Sequence, residues 1–246
     1  MTTEFAEPVP RILRMGTWQI NWYLVADDDG VTVVDAGVPA YKRQLEPGLA
    51  QLGRTLDDVR AVVLTHGDPD HKGFAEKLRK ERGIPVHVHA ADGPLTRGEQ
   101  SKPREASLLP YLRHAATWKI IAELARGGRP LHVAEVQTFQ DGAVLDVPGR
   151  PRAIHAPGHS AGCVAFHFER HDALILGDVL FEDNVLTGRR GPQISPAAFN
   201  TSSEQALASL DRLEPVQAGS LLFGHGDPWT GGTAAAVDAA RRAGPS

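Results

Sequence analysis

The chain contains a single cysteine, Cys163, in 246 residues, so no disulfide can form within it, and such a composition suits a reducing compartment. Lysine and arginine number 26 against 30 aspartates and glutamates, a net charge of -4, and no basic run gathers them. Without a positive patch, nucleic acid is not an expected partner. No apolar run approaches the roughly 20 residues that a membrane-spanning helix needs. Residues Met1 to Pro10 carry Glu4 and Glu7 and have neither a basic start nor an apolar stretch, so they do not read as a secretory leader. A cytoplasmic location, with no membrane association, is the expectation. Cys163 itself, at the start of an apolar strand, reads as small core filler.

What the chain does have is a core-forming composition, 41% hydrophobic, and an alternation of strand and helix patterns without repeats. Arg11 to Val25 and Val31 to Asp35 read as strands joined by an acidic turn, Ala26 to Gly30. Tyr41 to Gly53 reads as a helix with Leu45, Leu49 and Leu52 on one stripe. Further strands are expected at Arg60–Thr65, Ile84–His89, Ala134–Thr138, Ala143–Val147, Arg152–Ala156, Cys163–Phe168, Ala173–Leu176 and Gly219–Phe223. Pro103 to Arg126 reads as helical with a break near Pro110; Tyr111, Ala115, Trp118, Ala122 and Ala125 share a face, which suits core or inter-subunit packing, and so a homodimer. Thr201-Ser202-Ser203-Glu204 has the form of a capping box, and Gly231 to Arg242 reads as a closing helix. Two strand-rich halves with outer helices fit an α/β sandwich of two sheets. His87 and His89 alternate on one strand and are left outside the site.

The chemistry gathers at strand ends. His66-Gly67-Asp68-Pro69-Asp70-His71 lies between the Arg60–Thr65 strand and a helix predicted over Lys72 to Arg82, and four of its six residues can bind a metal. An Asp-Pro-Asp turn could be simple capping. Three further strand ends weigh against that: Gly158-His159-Ser160, Gly177-Asp178 and Gly224-His225-Gly226 each deliver a His or Asp. Ligands scattered from His66 to His225 require most of the chain to fold together.

This ordered set, with the opening Asn21–Val25 and Val31–Gly37, resembles the metallo-β-lactamase superfamily from about Gly16 to Trp229. The resemblance implies one domain over residues 1–246, with a helical insertion at about 100–127, folded as a four-layer αβ/βα sandwich of two mixed β-sheets flanked by helices. It further implies two divalent ions, zinc first, with iron or manganese as alternatives. His66, Asp68 and His159 would hold one, Asp70, His71 and His225 the other, and Asp178 would bridge them. Asp35 would orient a metal-binding histidine, and Asp70 would also be catalytic by orienting a metal-bound hydroxide.

One position departs from the family pattern, where Asp68 replaces a histidine. With it, the carboxylates of Asp68, Asp70 and Asp178 and one hydroxide balance two divalent ions, which weakens the site as a Lewis acid. A harder oxygen donor also shifts preference towards iron or manganese. The flavodiiron proteins carry a carboxylate at the corresponding position but have a flavin domain that this chain does not show. Hydrolysis of a small-molecule ester, thioester or lactone is therefore the first expectation. An iron-dependent oxidoreductase and a degenerate metal-binding module are the alternatives. Phe181 falls where the family's lactonases carry tyrosine, and Arg189 and Arg190 are candidates for holding a substrate carboxylate.

Overall fold

A computed structural model describes residues 5–17 and 19–246. Glu4, part of the leader argument, and Trp18, inside the predicted opening strand, lie outside the described residues. The chain opens with β1 (Ala6–Val9), β2 (Ile12–Thr17), β3 (Ile20–Asp27) and β4 (Gly30–Val34), antiparallel neighbours in that order. The predicted run Arg11–Val25 is thus a hairpin rather than one strand, with Ile12 opposite Val25 and Thr17 opposite Ile20. Both arms are rich in apolar residues, β3 almost continuously, so the fold-back leaves no trace in the hydrophobic pattern.

From β4 onward the sheet becomes parallel. Helix α1 (Lys42–Gln51) leads to β5 (Val59–Val63), helix α2 (Ala75–Arg82) to β6 (Val86–His89), and the pair α3 (Gly93–Arg97) and α4 (Ala115–Gly127) to β7 (Gln137–Phe139). These seven strands form one sheet in sequence order. The second sheet has the order β13-β10-β9-β8, from β8 (Arg152–His155), β9 (Val164–Phe168), β10 (Ala173–Gly177) and β13 (Ser220–Phe223). Between β10 and β13 come a small hairpin of β11 (Phe181–Asp183) and β12 (Arg190–Gln193), and helix α5 (Ser203–Ser209). Helix α6 (Thr233–Ala243) closes the chain. Ala143–Val147 forms no strand; only Val144 bridges to Arg152.

Alternation along the strands produces three apolar layers. Between the sheets, Val25, Val34 and Val63 of the first meet Phe166, Ile175 and Leu222 of the second. On the outer face of the first sheet, Leu24, Val33 and Val62 pack with Leu45 and Leu49 of α1 and with Phe74 and Leu78. On the outer face of the second, Leu174, Leu176 and Phe223 meet Ala206 of α5 and Val237 of α6. The result is the αβ/βα sandwich. Cys163 is fully buried in this third layer, and burial pushes its thiol pKa well above the usual range, which leaves it inert.

Helices α4 and α5 differ from their predicted form. In α4 the buried positions are Thr117, Ile120 and Gly127, whereas Trp118 is 56% exposed and Ala115 and Ala125 also face solvent. The helix has apolar residues on more than one side, and contact with the body selects the smaller set. Helix α5 is capped by Ser202, whose Oγ accepts from the Gln205 N–H at 3.1 Å, one position later than the Thr201–Glu204 box.

Candidate metal centre

The end of β5 delivers His66, and the six-residue loop then turns back before α2 begins. That helix starts at Ala75 rather than Lys72 because the intervening backbone is engaged with the loop after β4. Gly73 N–H donates to Gly37 O at 2.9 Å and Phe74 N–H to Ala36 O at 3.2 Å. A Cβ on Gly73 would lie 2.2 Å from the Gly37 carbonyl oxygen, so the close approach requires glycine. These contacts place His71 over the end of the first sheet.

Four histidines converge from three loops, and hydrogen bonds place a proton on the Nδ1 of each. His71 Nδ1–H donates to Asp35 Oδ2 at 2.8 Å. The His225 Nδ1–H donates to the Gln19 carbonyl, which can only accept. Thr65 Oγ1 donates to Asp35 Oδ2 at 2.8 Å and is left to accept from His66 Nδ1–H at 3.0 Å. Ser195 Oγ donates to Asn200 Oδ1 and accepts from His159 Nδ1–H at 3.0 Å. Each ring therefore commits its Nδ1–H to a protein acceptor and turns Nε2 to the same interior point, the arrangement that metal-binding histidines require.

The carboxylates complete the cluster. Asp178, buried at 3% exposure, has Oδ1 3.3 Å from His71 Nε2, and its Oδ2 lies 3.3 Å from His225 Nε2, 3.4 Å from His159 Nε2 and 3.8 Å from His66 Nε2. Asp70 Oδ2 lies 3.8 Å from His225 Nε2 and 3.9 Å from His71 Nε2. Asp68 Oδ2 is 3.0 Å from His159 Nε2 and 3.7 Å from His66 Nε2. The ligand atoms fall into overlapping groups: His66, Asp68 and His159; Asp70, His71 and His225; and His66, His71 and Asp178. Every metal ligand inferred from the sequence is thus brought to one place.

The donor set fits a divalent cation. His66 Nε2, His71 Nε2 and Asp178 Oδ1 are buried without a hydrogen-bond partner, a costly condition that an ion would relieve. Burial, with His71 and His159 nearby, pushes the His66 pKa well below the usual histidine range, so that ring is neutral. Burial acts the same way on His71, but the Asp178, Asp35 and Asp70 carboxylates outweigh it and raise the pKa well above that range. For Asp178, burial acts upward and is outweighed by His225, His71 and His159, which hold the carboxyl well below its usual value.

Three of the expected site residues have other surroundings. Phe181 is fully buried, with its ring 4.4 Å from that of His225 and 6.4 Å from that of His159. Its ring packs against those of the two histidines and has no exposed surface. The Arg190 guanidinium is engaged with Asp227 at 2.6 Å, Glu182 at 2.9 Å and Asp183 at 3.4 Å. Arg189 donates to the Ala243 carbonyl at 3.2 Å. Both arginines are thus engaged with groups of the protein other than the cluster's ligands.

Two residues absent from the sequence reading are part of the site's construction. Asp92 is 1% exposed; its Oδ2 accepts from the Gly67 N–H at 2.8 Å and from Ser160 Oγ at 2.7 Å, and its Oδ1 accepts from the Gly162 N–H at 2.7 Å. It ties the His66 loop to the His159 loop. An acidic residue just beyond a strand, as Asp92 is beyond β6, was the available signal. Lys102 donates from Nζ to Asp68 Oδ2 and, at 2.9 Å, to His159 Nε2. Nothing in its local sequence marks it.

Comparison with known proteins gives a concordant result. The family model described as the metallo-beta-lactamase superfamily matches residues 15–225. YflN of Bacillus subtilis, described as a probable metallo-hydrolase, is 24% identical over 214 residues, which span 85% of this chain and 80% of YflN. The crystal structure of the metallo-beta-lactamase family protein TTHA1429 from Thermus thermophilus matches with a TM-score of 0.67 at 26% identity, covering 96% of this chain and 79% of that one. TTHA1623, solved in a di-iron-bound form, matches with a TM-score of 0.60 at 26% identity, covering 88% of this chain and 92% of its own.

Proposed function

The chain belongs to the metallo-β-lactamase superfamily, and from that membership we propose that it is a metal-dependent hydrolase of a small-molecule ester, thioester or lactone, working in the cytoplasm. The observation that carries this reading is the convergence of four Nδ1-anchored histidines and three aspartates on one point. The ligand atoms offer two adjoining positions for a divalent ion, one on His66, Asp68 and His159 and one on Asp70, His71 and His225, with Asp178 between them. A divalent ion bound there, zinc in the first instance, supplies Lewis acidity and lowers the pKa of water enough to yield a nucleophile at neutral pH.

The remaining tasks fall to side chains. Asp70 is the most exposed of the ligand carboxylates, at 20%, and its free carboxylate oxygen can accept a proton from water and orient it. The buried Phe181 ring packs beside those of His225 and His159 and limits how far they can move. With Arg189 and Arg190 engaged elsewhere, uncharged esters and lactones are better supported as substrates than thioesters bearing a free carboxylate.

A second reading, an iron-dependent oxidoreductase, is favoured by two observations. TTHA1623 was solved with two irons, and Asp68 adds an oxygen donor of the kind that iron and manganese accept readily. Elemental mass spectrometry on protein purified without chelator, followed by panels of aryl esters, thioesters and lactones, separates the two. Zinc with turnover of one panel supports the hydrolase. Iron with oxygen uptake and no hydrolysis supports the oxidoreductase. Absence of turnover with zinc, manganese and iron each supplied would sink both.

A further inference from the structure

Lys102 lies between α3 and α4 in a stretch without regular secondary structure. The stretch is nevertheless anchored. The Glu105 N–H donates to the Asn200 carbonyl at 2.8 Å, and its carboxylate accepts from the Ser203 N–H at 2.7 Å. The Lys102 side chain turns inward from there and is 11% exposed, which is unusual for a residue type that normally keeps its ammonium in water.

Its Nζ contacts Asp68 Oδ2 and His159 Nε2, two of the three ligand atoms of the first metal group. The contacts are incompatible with a metal on those atoms. His159 carries its proton on Nδ1, facing Ser195, so Nε2 offers one lone pair. That lone pair can accept from Lys102 or bind an ion, not both. A divalent cation bound to Asp68 Oδ2 would also face the ammonium across a shared oxygen in a buried site, where like charges repel with little screening.

The charge balance agrees. Asp68, Asp70 and Asp178 bring three negative charges, and Lys102 with a single divalent ion brings three positive ones. Before any bound water is deprotonated, two divalent ions beside Lys102 would leave an excess of two positive charges. The replacement of the family's histidine by Asp68 and the inward lysine then belong together: the carboxylate is the partner that an ammonium needs, and an imidazole would not be.

We propose that Lys102 is the resident cation of the first metal position, so that the chain holds one divalent ion, on Asp70, His71, His225 and Asp178. The proposal rests on the reading of this cluster as a metal centre. A second ion enters only when Lys102 is removed.

The test is cobalt(II) titration of the metal-free native chain and of Lys102→Met, read by visible absorption and by elemental mass spectrometry after desalting. One equivalent for the native chain and two for Lys102→Met are expected. Lys102→Met/Asp68→His, which also removes the carboxylate that had paired with Lys102, provides the same readout if the single variant does not fold, and it too should take two. Two equivalents of similar affinity in the native chain would overturn the proposal. So would a folded Lys102→Met, or a folded double variant, that still takes one. No cobalt bound by the native chain would instead overturn the metal-centre reading itself, and this proposal with it.

Discussion

Asp35 Oδ2 lies 2.8 Å from His71 Nδ1 and 2.8 Å from Thr65 Oγ1, so one carboxylate oxygen orients the His71 ring directly and the His66 ring through a hydroxyl. Asp35 has φ of 60°, a conformation that asparagine adopts at little cost. Asp35→Asn therefore removes the charge and adds donors where two donors already point, without backbone strain. Metal affinity should fall by roughly 10–100-fold in competition with a chromophoric chelator. An unchanged affinity would mean that the rings are held without Asp35.

Asp178 touches all four histidines. Asp178→Ala should bring hydrolysis to background and reduce bound metal while the far-UV circular dichroism stays native. Turnover at the native rate would remove Asp178, and with it the assigned centre, from the reaction.

Asp92 accepts hydrogen bonds from two loops that each carry a ligand. In Asp92→Ala the Gly67 and Gly162 N–H groups and the Ser160 hydroxyl lose their acceptor in a buried place. At about 1–3 kcal/mol for each unsatisfied group, destabilisation of about 3 kcal/mol or more is expected from urea unfolding. A loss below about 1 kcal/mol would show that the loops find other acceptors.

Asp227 pairs with Arg14 at 2.7 Å and Arg190 at 2.6 Å, and Arg14 foremost holds its carboxyl below the usual pKa. A depressed folded-state pKa stabilises the protein above the unfolded value, near 3.9, and the contribution disappears as pH falls through the folded value. The side chain is 53% exposed, so screening limits each pair to about 0.2–1 kcal/mol. Asp227→Asn should thus lower the urea midpoint modestly at pH 7, and the gap from the native chain should begin to narrow as pH falls below about 4. A gap that does not narrow at all as pH falls below about 4 would assign the loss to packing.

The metal loop, the Gly-His turns and the strands that carry them were readable because each depends on neighbours a few residues away. An apolar run ending in His66 can be recognised before anything is known of His225. Where two solutions share one hydrophobic pattern, that local information was not enough. Residues 11–25 are equally apolar as one strand or as the β2–β3 hairpin, and α4 could turn either Trp118 or Ile120 inward. Arg190 looked free for a substrate because Asp227, its partner in the fold, is 37 residues away.

The sequence alone determined the alternation of strands and helices, the ligand types and their order, because these follow from periodicity and turn chemistry. Tertiary structure decided which Nε2 atoms face one another, that Asp92 joins two ligand loops, and that Lys102, 34 residues from Asp68 and 57 from His159, meets both. Those contacts are made between segments that only the packed sheets bring within hydrogen-bonding distance, and no local propensity encodes them.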